Sequence, residues 1–157
     1  MVEVKLVDIK PQQAAAVKYK TPVEKIPENM GKAFGRLMAY LQARNITSSG
    51  APFSFYPAVE PDENGEWEVV TGMPVDSEIT AEGDVVPFDL PAGNVAVATH
   101  LGPYETLETT YKDMSEWMKE HRLAPADMMW EYYFTDPKLE PDQSKWRTDV
   151  YWPVIDR

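Results

Sequence analysis

The order strand, helix, hairpin occurs twice in this chain. Trp67 and Trp146 are 79 positions apart (146 − 67), as are Pro74 and Pro153, and Val75 and Val154. Apolar residues at helical spacing also recur: Met30, Phe34, Leu37 and Leu41 match Leu107, Tyr111, Met114 and Met118 at a shift of 77. A duplication leaves few solutions, because each short unit exposes an apolar face that it cannot cover alone. The length of 157 residues suits one domain made of two such repeats. The expected halves are about 1–76 and 84–157, joined by an acidic, polar linker at 76–84.

Each half has the same local signals. Val2, Val4 and Leu6 alternate with polar residues, and Ala14 to Tyr19 continues as a second extended piece. A helix is predicted from about Pro27 to Arg44, with Asn45 as a plausible cap. Phe53, Phe55 and Tyr56 mark a strand, the acidic turn Glu60 to Gly65 follows, and Trp67 to Met73 returns, ended by Pro74. In the second half Val85 to Leu90 is extended and Asn94 to Thr99 is a strand. The turn His100-Leu101-Gly102-Pro103-Tyr104 leads to a helix from about Leu107 to Lys119, then strands at 128–135 and 146–152, the last stopped by Pro153.

The stretch Trp130-Glu131-Tyr132-Tyr133-Phe134-Thr135-Asp136-Pro137 places a carboxylate among aromatics. Successive strand residues point to opposite faces, so Glu131, Tyr133 and Thr135 share one face and Trp130, Tyr132 and Phe134 the other. Two readings of Glu131 are open. It blunts an edge strand, or it lies at the floor of an aromatic pocket, where a carboxylate attracts a cation or acts as a general base.

Composition removes several function classes. The net charge is −11, with 15 Lys and Arg against 26 Asp and Glu, and no basic block exists to engage phosphates, so direct nucleic-acid binding is not expected. No basic amphipathic segment and no apolar run of about 20 residues argues for a membrane. The start of the chain does not read as a secretory signal, and a soluble, cytoplasmic protein is expected. There are no cysteines and two separated histidines, His100 and His121, so neither a thiol nucleophile nor a metal site is expected, and no cofactor is called for. Both histidines read as structural, His121 being favourably placed at a helix end.

The second half resembles the GyrI-like small-molecule-binding domain, which is also the effector-binding half of several bacterial multidrug-responsive transcription regulators. The resemblance runs through Ala92-Gly93, His100-Leu101-Gly102-Pro103-Tyr104, the helix to Trp117, Glu131 to Pro137, and Lys145-Trp146-Arg147-Thr148-Asp149-Val150-Tyr151-Trp152-Pro153-Val154. The first half matches in element order and in Met73-Pro74-Val75. The resemblance implies an α+β fold: tandem duplicated β-α-β-β units forming a curved antiparallel sheet, with two helices packed on it and a ligand cleft between the repeats. It puts Glu131 at the family's pocket carboxylate and Tyr151 at a pocket tyrosine.

Around that carboxylate, Tyr133 and Tyr151 are candidates to hydrogen-bond it or a ligand, and Tyr104 follows a turn from which it can overhang a cleft mouth. Phe53, Tyr56 and Trp67 are the first-half aromatics that would complete the cleft, or ordinary core. The two halves use the whole sequence, so a stand-alone domain without a helix-turn-helix is expected. Three functions stay open. The first is binding of a small hydrophobic or cationic molecule. The second is hydrolysis of a strained cyclopropane-type electrophile, with Glu131 as base assisted by Tyr133 and Tyr151. Some stand-alone members look like such enzymes. The third is an acidic interaction with a protein partner such as a topoisomerase, because a founding member similar in fold restrains DNA gyrase.

Overall fold

The computed structural model describes residues 2–156. The chain divides into two compact units. The N-unit is Lys10–Ala92; the C-unit takes everything from Gly93 on, together with the segment up to Ile9. The class is α+β, with nine antiparallel strands and two α-helices among the described residues.

In the N-unit, β2 (Gln12–Pro22), α1 (Ile26–Ala43), β3 (Phe53–Tyr56) and β4 (Glu66–Pro74) are joined by β5 (Val85–Leu90). The strands lie in the order β5-β2-β4-β3. The run Ala14-Ala15-Ala16-Val17 forms the middle of the sheet because strands flank it on both sides and its side chains are small. Ala15 and Val17 take the face toward α1, where Ala33, Leu37, Tyr40 and Leu41 pack on them with Val75 and Val85. Pro27 stands in the first turn of α1, where a missing N–H costs nothing. Asn45, with φ 54°, ends the helix in the left-handed region, and Ile46 N–H returns to Leu41 O at 2.9 Å.

The C-unit repeats this plan. β6 (Gly93–Leu101), α2 (Leu107–Glu120), β8 (Met129–Tyr133) and β9 (Arg147–Asp156) are joined by β1 (Val4–Ile9), in the order β1-β6-β9-β8. A three-residue strand, β7 (Leu123–Pro125), pairs with the far end of β9, which therefore runs past Pro153 instead of stopping there. The Pro153 carbonyl accepts from Ala126 N–H at 2.9 Å.

The units exchange their first strands. β1 precedes β2 in the chain yet pairs with β6; β5 precedes β6 yet pairs with β2. The register is preserved: Val4 faces Ala98 and Val85 faces Val17, a displacement of 81 for both partners (85 − 4, 98 − 17). The acidic stretch 76–84, expected to link the halves, lies inside the N-unit, where Tyr40 donates to Thr80 O at 2.7 Å and Arg36 pairs with Asp84 at 2.6 Å.

The helices correct the expected alignment. Each follows a 3₁₀ turn, Val23–Lys25 or Tyr104–Thr106, so Ile26 corresponds to Leu107 at 81, not 77. Met30 therefore matches Tyr111, and Leu37 matches Met118. α1 has 18 residues and α2 has 14, so the shift drops by one turn of four, to 77, beyond the helices. A slip of four returns a helix to the same face, which is why apolar spacing cannot detect it.

Candidate functional site

The second strand of each hairpin fixes which side chains face the helix. Glu131 lies opposite Val150, Tyr133 opposite Thr148, and Trp130 opposite Tyr151. Cross-strand partners share a face. Glu131, Tyr133, Thr148 and Val150 therefore look toward α2, joined from β6 by His100, which faces Thr148.

Glu131 is 2% exposed. The Tyr133 hydroxyl donates to its Oε1 at 3.0 Å, and the Tyr111 hydroxyl, reaching down from α2, donates to its Oε2. No Lys, Arg or His of the described residues forms an ion pair with it. Burial disfavours the charged form and pushes the carboxyl up to about 7, against the pull of the Tyr133 hydrogen bond. Glu131 thus changes protonation in the neutral range.

From this carboxyl an aromatic series runs in two directions. Tyr133 meets Tyr104 edge-on, with centroids 5.8 Å apart, and Tyr104 lies 5.3 Å from Trp146. Tyr111 meets Trp152 edge-on at 6.2 Å. Both indoles are held by backbone acceptors: Trp146 Nε1 donates to Glu140 O at 2.8 Å and Trp152 Nε1 to Ala126 O at 3.0 Å. Tyr104 is 39% exposed and is the outer member of the series. Its hydroxyl is raised first by burial, then by Asp136 and Glu131.

Gly102 sets where Tyr104 emerges. Its φ of +133° suits glycine, and its N–H donates to Trp146 O at 2.8 Å, tying the turn to the strand that follows the indole. His100 is buried beneath this turn. Its Nδ1 shares a hydrogen bond with the Thr110 hydroxyl at 2.7 Å and its Nε2–H donates to Pro103 O at 3.1 Å, so both ring nitrogens are engaged within the fold. The Thr148 hydroxyl, on the same face, is buried with no hydrogen-bond partner among the described residues.

The sequence-selected residues divide by place. Glu131, Tyr133 and Tyr104 come together. Tyr151 does not join them: its register pairs it with Trp130, on the opposite face of the sheet from Glu131, where it packs at 5.9 Å on Trp130 and 5.0 Å on Tyr132. Successive residues of a strand face opposite ways, and Val150, next to Tyr151, is the one that shares the Glu131 face, so Tyr151 points away from the carboxyl. Phe53, Tyr56 and Trp67 belong to the N-unit, where Phe53 lies 6.4 Å from Phe88 and Tyr56 meets Trp67 edge-on at 6.2 Å. Sequence reasoning misses Tyr111 and the two indoles as site residues. Tyr111 sits at core spacing on its helix, and only a hydroxyl where the first repeat has Met30 marks it out.

The N-unit has no carboxylate at the matching place. Ser54 faces Thr71 as Glu131 faces Val150, and the Ser54, Thr71 and Tyr19 hydroxyls form a neutral chain, with links of 2.9 and 2.7 Å. The duplicated scaffold therefore carries this buried acid in one repeat. Among the described residues no group of three or more His, Cys, Asp or Glu side chains is arranged to hold a metal ion, and no helix is long and apolar enough to cross a membrane.

Comparison with known proteins agrees with this architecture. The C-terminal domain of EcmrR superposes with a TM-score of 0.81 at 19% identity, covering 100% of this chain and 99% of that domain. In the EcmrR–DNA complex the chain spans 58% of the EcmrR polypeptide. A hydrolase from Listeria innocua superposes at 0.74 with 15% identity, over 98% of this chain and 92% of that one. SAV2435, solved bound to tetraphenylphosphonium, does so at 0.59 with 9% identity, over 98% and 94%. These identities speak for a shared fold. No curated protein matches in sequence. The profile of the GyrI-like small molecule binding domain matches residues 2–155, nearly the whole chain, and the protein belongs to that family.

Proposed function

We propose that the C-unit binds small hydrophobic cations, with Glu131 as counter-ion and the tyrosine and tryptophan series as the surface they stack on. The observation that carries this is a buried carboxyl held by two tyrosine hydroxyls, without a cationic partner among the described residues. A charge left so is costly unless something neutralises it, and a proton or a ligand cation can each do so. Aromatic faces add cation–π attraction. The fold neighbour solved with tetraphenylphosphonium supports the same ligand class. Phe53, Tyr56, Trp67 and Tyr151 are not needed by this reading.

Titration with tetraphenylphosphonium and with neutral triphenylphosphine oxide tests it. The cation should bind more tightly, and Glu131→Gln should lose about ten- to a hundredfold for the cation alone, the weight of a charged hydrogen bond or ion pair. Because the cation competes with a proton, its affinity should rise with pH up to about 7 and then level off. Equal binding of both compounds by the wild type would end the proposal.

A second reading draws on the same near-neutral carboxyl. A base that titrates near pH 7 suits abstraction of a proton from an attacking water, and Tyr133 is placed to orient Glu131. In that case a strained cyclopropane electrophile would be opened catalytically, and Glu131→Gln would slow turnover by about 10²–10⁴-fold. Product that stops at one equivalent identifies a binder instead.

A further inference from the structure

The face of the N-unit sheet turned away from α1 carries a groove of about 420 Å³, a volume in the range of small-ligand pockets. Lys18, Lys20, Phe55, Glu68, Val70 and Phe88 are among the residues that line it. The register explains their convergence. Lys18 and Phe55 both lie opposite Val70, on β2 and β3 either side of β4, while Phe88 lies opposite Ala14, two pairs along the same face from Lys18. Phe55 and Phe88 form a tilted pair with centroids 5.2 Å apart, and the Lys18 ammonium stands 5.8 Å from the Phe88 centroid.

The charges on this groove are not equivalent. Lys20 lies directly opposite Glu68 and pairs with Asp62 at 3.5 Å, so its charge is already answered. Lys18 has no carboxylate within ion-pair distance among the described residues. Its ammonium stands over the Phe88 ring, while Glu68, opposite Lys20, is the acid that shares the groove. Phe55 is buried and Phe88 half-buried, so a ligand that lies against the Phe88 ring and places one negative group at Lys18 complements both, and Glu68 in the same groove disfavours a second negative charge.

We propose that this groove is a binding site for aromatic monocarboxylates. The residues named for it belong to the N-unit, and the proposal does not rest on Glu131. The C-unit would then take cations and the N-unit anions, a divergence of two copies of one scaffold.

The test uses 2-naphthoate as probe and 2-methylnaphthalene as its neutral counterpart, followed by amide chemical shifts in the intact chain. Naphthoate should give saturable shifts centred on Lys18, Val70 and Phe88, bind more tightly than the neutral compound, and weaken with added salt. Glu131→Gln should leave this unchanged. Lys18→Gln should weaken naphthoate about threefold to fivefold, as for an exposed ion pair, with a larger loss for Lys18→Glu and retention in Lys18→Arg. Equal shifts with both compounds, shifts centred instead on Tyr104 and Tyr133, or unaltered binding by Lys18→Glu would each overturn the proposal.

Discussion

Glu131 couples the stability of the fold to pH. Its carboxyl is raised from an ordinary value near 4.5 to about 7, so the folded chain holds that proton more tightly than the unfolded chain does. The contribution is fully present below about pH 4.5, is lost as pH rises toward and through about 7, and is level above that. At about 1.4 kcal/mol per pKa unit, the loss is on the order of 3 kcal/mol. Glu131→Gln, which cannot ionise, should remove this slope. Denaturant unfolding at pH 5 and pH 8 should show the wild type losing stability between the two relative to the variant. Tyr111→Phe addresses the partner on α2. Removing its hydroxyl withdraws a donor from the charged form, so the Glu131 midpoint, read by carboxyl-carbon NMR, should move further up.

Among the elements, β4 and α1 respond oppositely to the same change. Gly72 lies opposite Phe53, and a Cβ there would stand 2.6 Å from the Phe53 ring and 2.8 Å from the Ala15 carbonyl oxygen. One neighbour is a fully buried ring and the other is backbone, so neither can yield cheaply. Gly72→Ala should destabilise by about 1–3 kcal/mol, as overpacked cores do. Gly31 and Gly35, inside α1, have open space where a Cβ would stand, with nothing within 4 Å. Alanine at either should stabilise by about 0.5–1 kcal/mol through the unfolded chain's lost freedom and better helix propensity. Thermal melts of the three variants check both signs.

At the scale of the whole molecule, the exchange of first strands makes each unit depend on chain from the other repeat. β1 supplies one flank of β6, whose Val95, Ala96 and Ala98 are buried. Deleting residues 1–9 should bare that edge while β2 keeps both its neighbours, β4 and β5. Hydrogen exchange should therefore quicken at β6 and spread toward β9 and Glu131, with β2 and β4 remaining protected. A peptide of residues 1–10 added back should restore protection in β6. Uniform loss of protection in both units would show that their stabilities are not separable in this way.

Alternation and turn residues determine most of the elements. The strand carrying Glu131, both helices, the capping Asn45 and the duplication can be read from spacing, because period 2 and period 3.6 are local properties of the chain. That Glu131 and Tyr133 share a face follows from the same alternation, and their hydrogen bond bears it out. What alternation cannot give is register between strands distant in sequence. Only the β8–β9 pairing decides that Tyr151 stands with Trp130 and away from Glu131. Helical spacing likewise cannot tell Tyr111 at a shift of 77 from Tyr111 at 81, since one turn repeats the face. Its approach to the carboxyl is set by how α2 lies on β8. The strand exchange is illegible for the same reason: β1 and β5 carry ordinary strand patterns, and which edge each joins is a choice among backbone partners that the sequence labels alike. Local signals set the pieces and their faces, whereas non-local hydrogen bonding and packing chose the partners that bring a buried acid under two tyrosines.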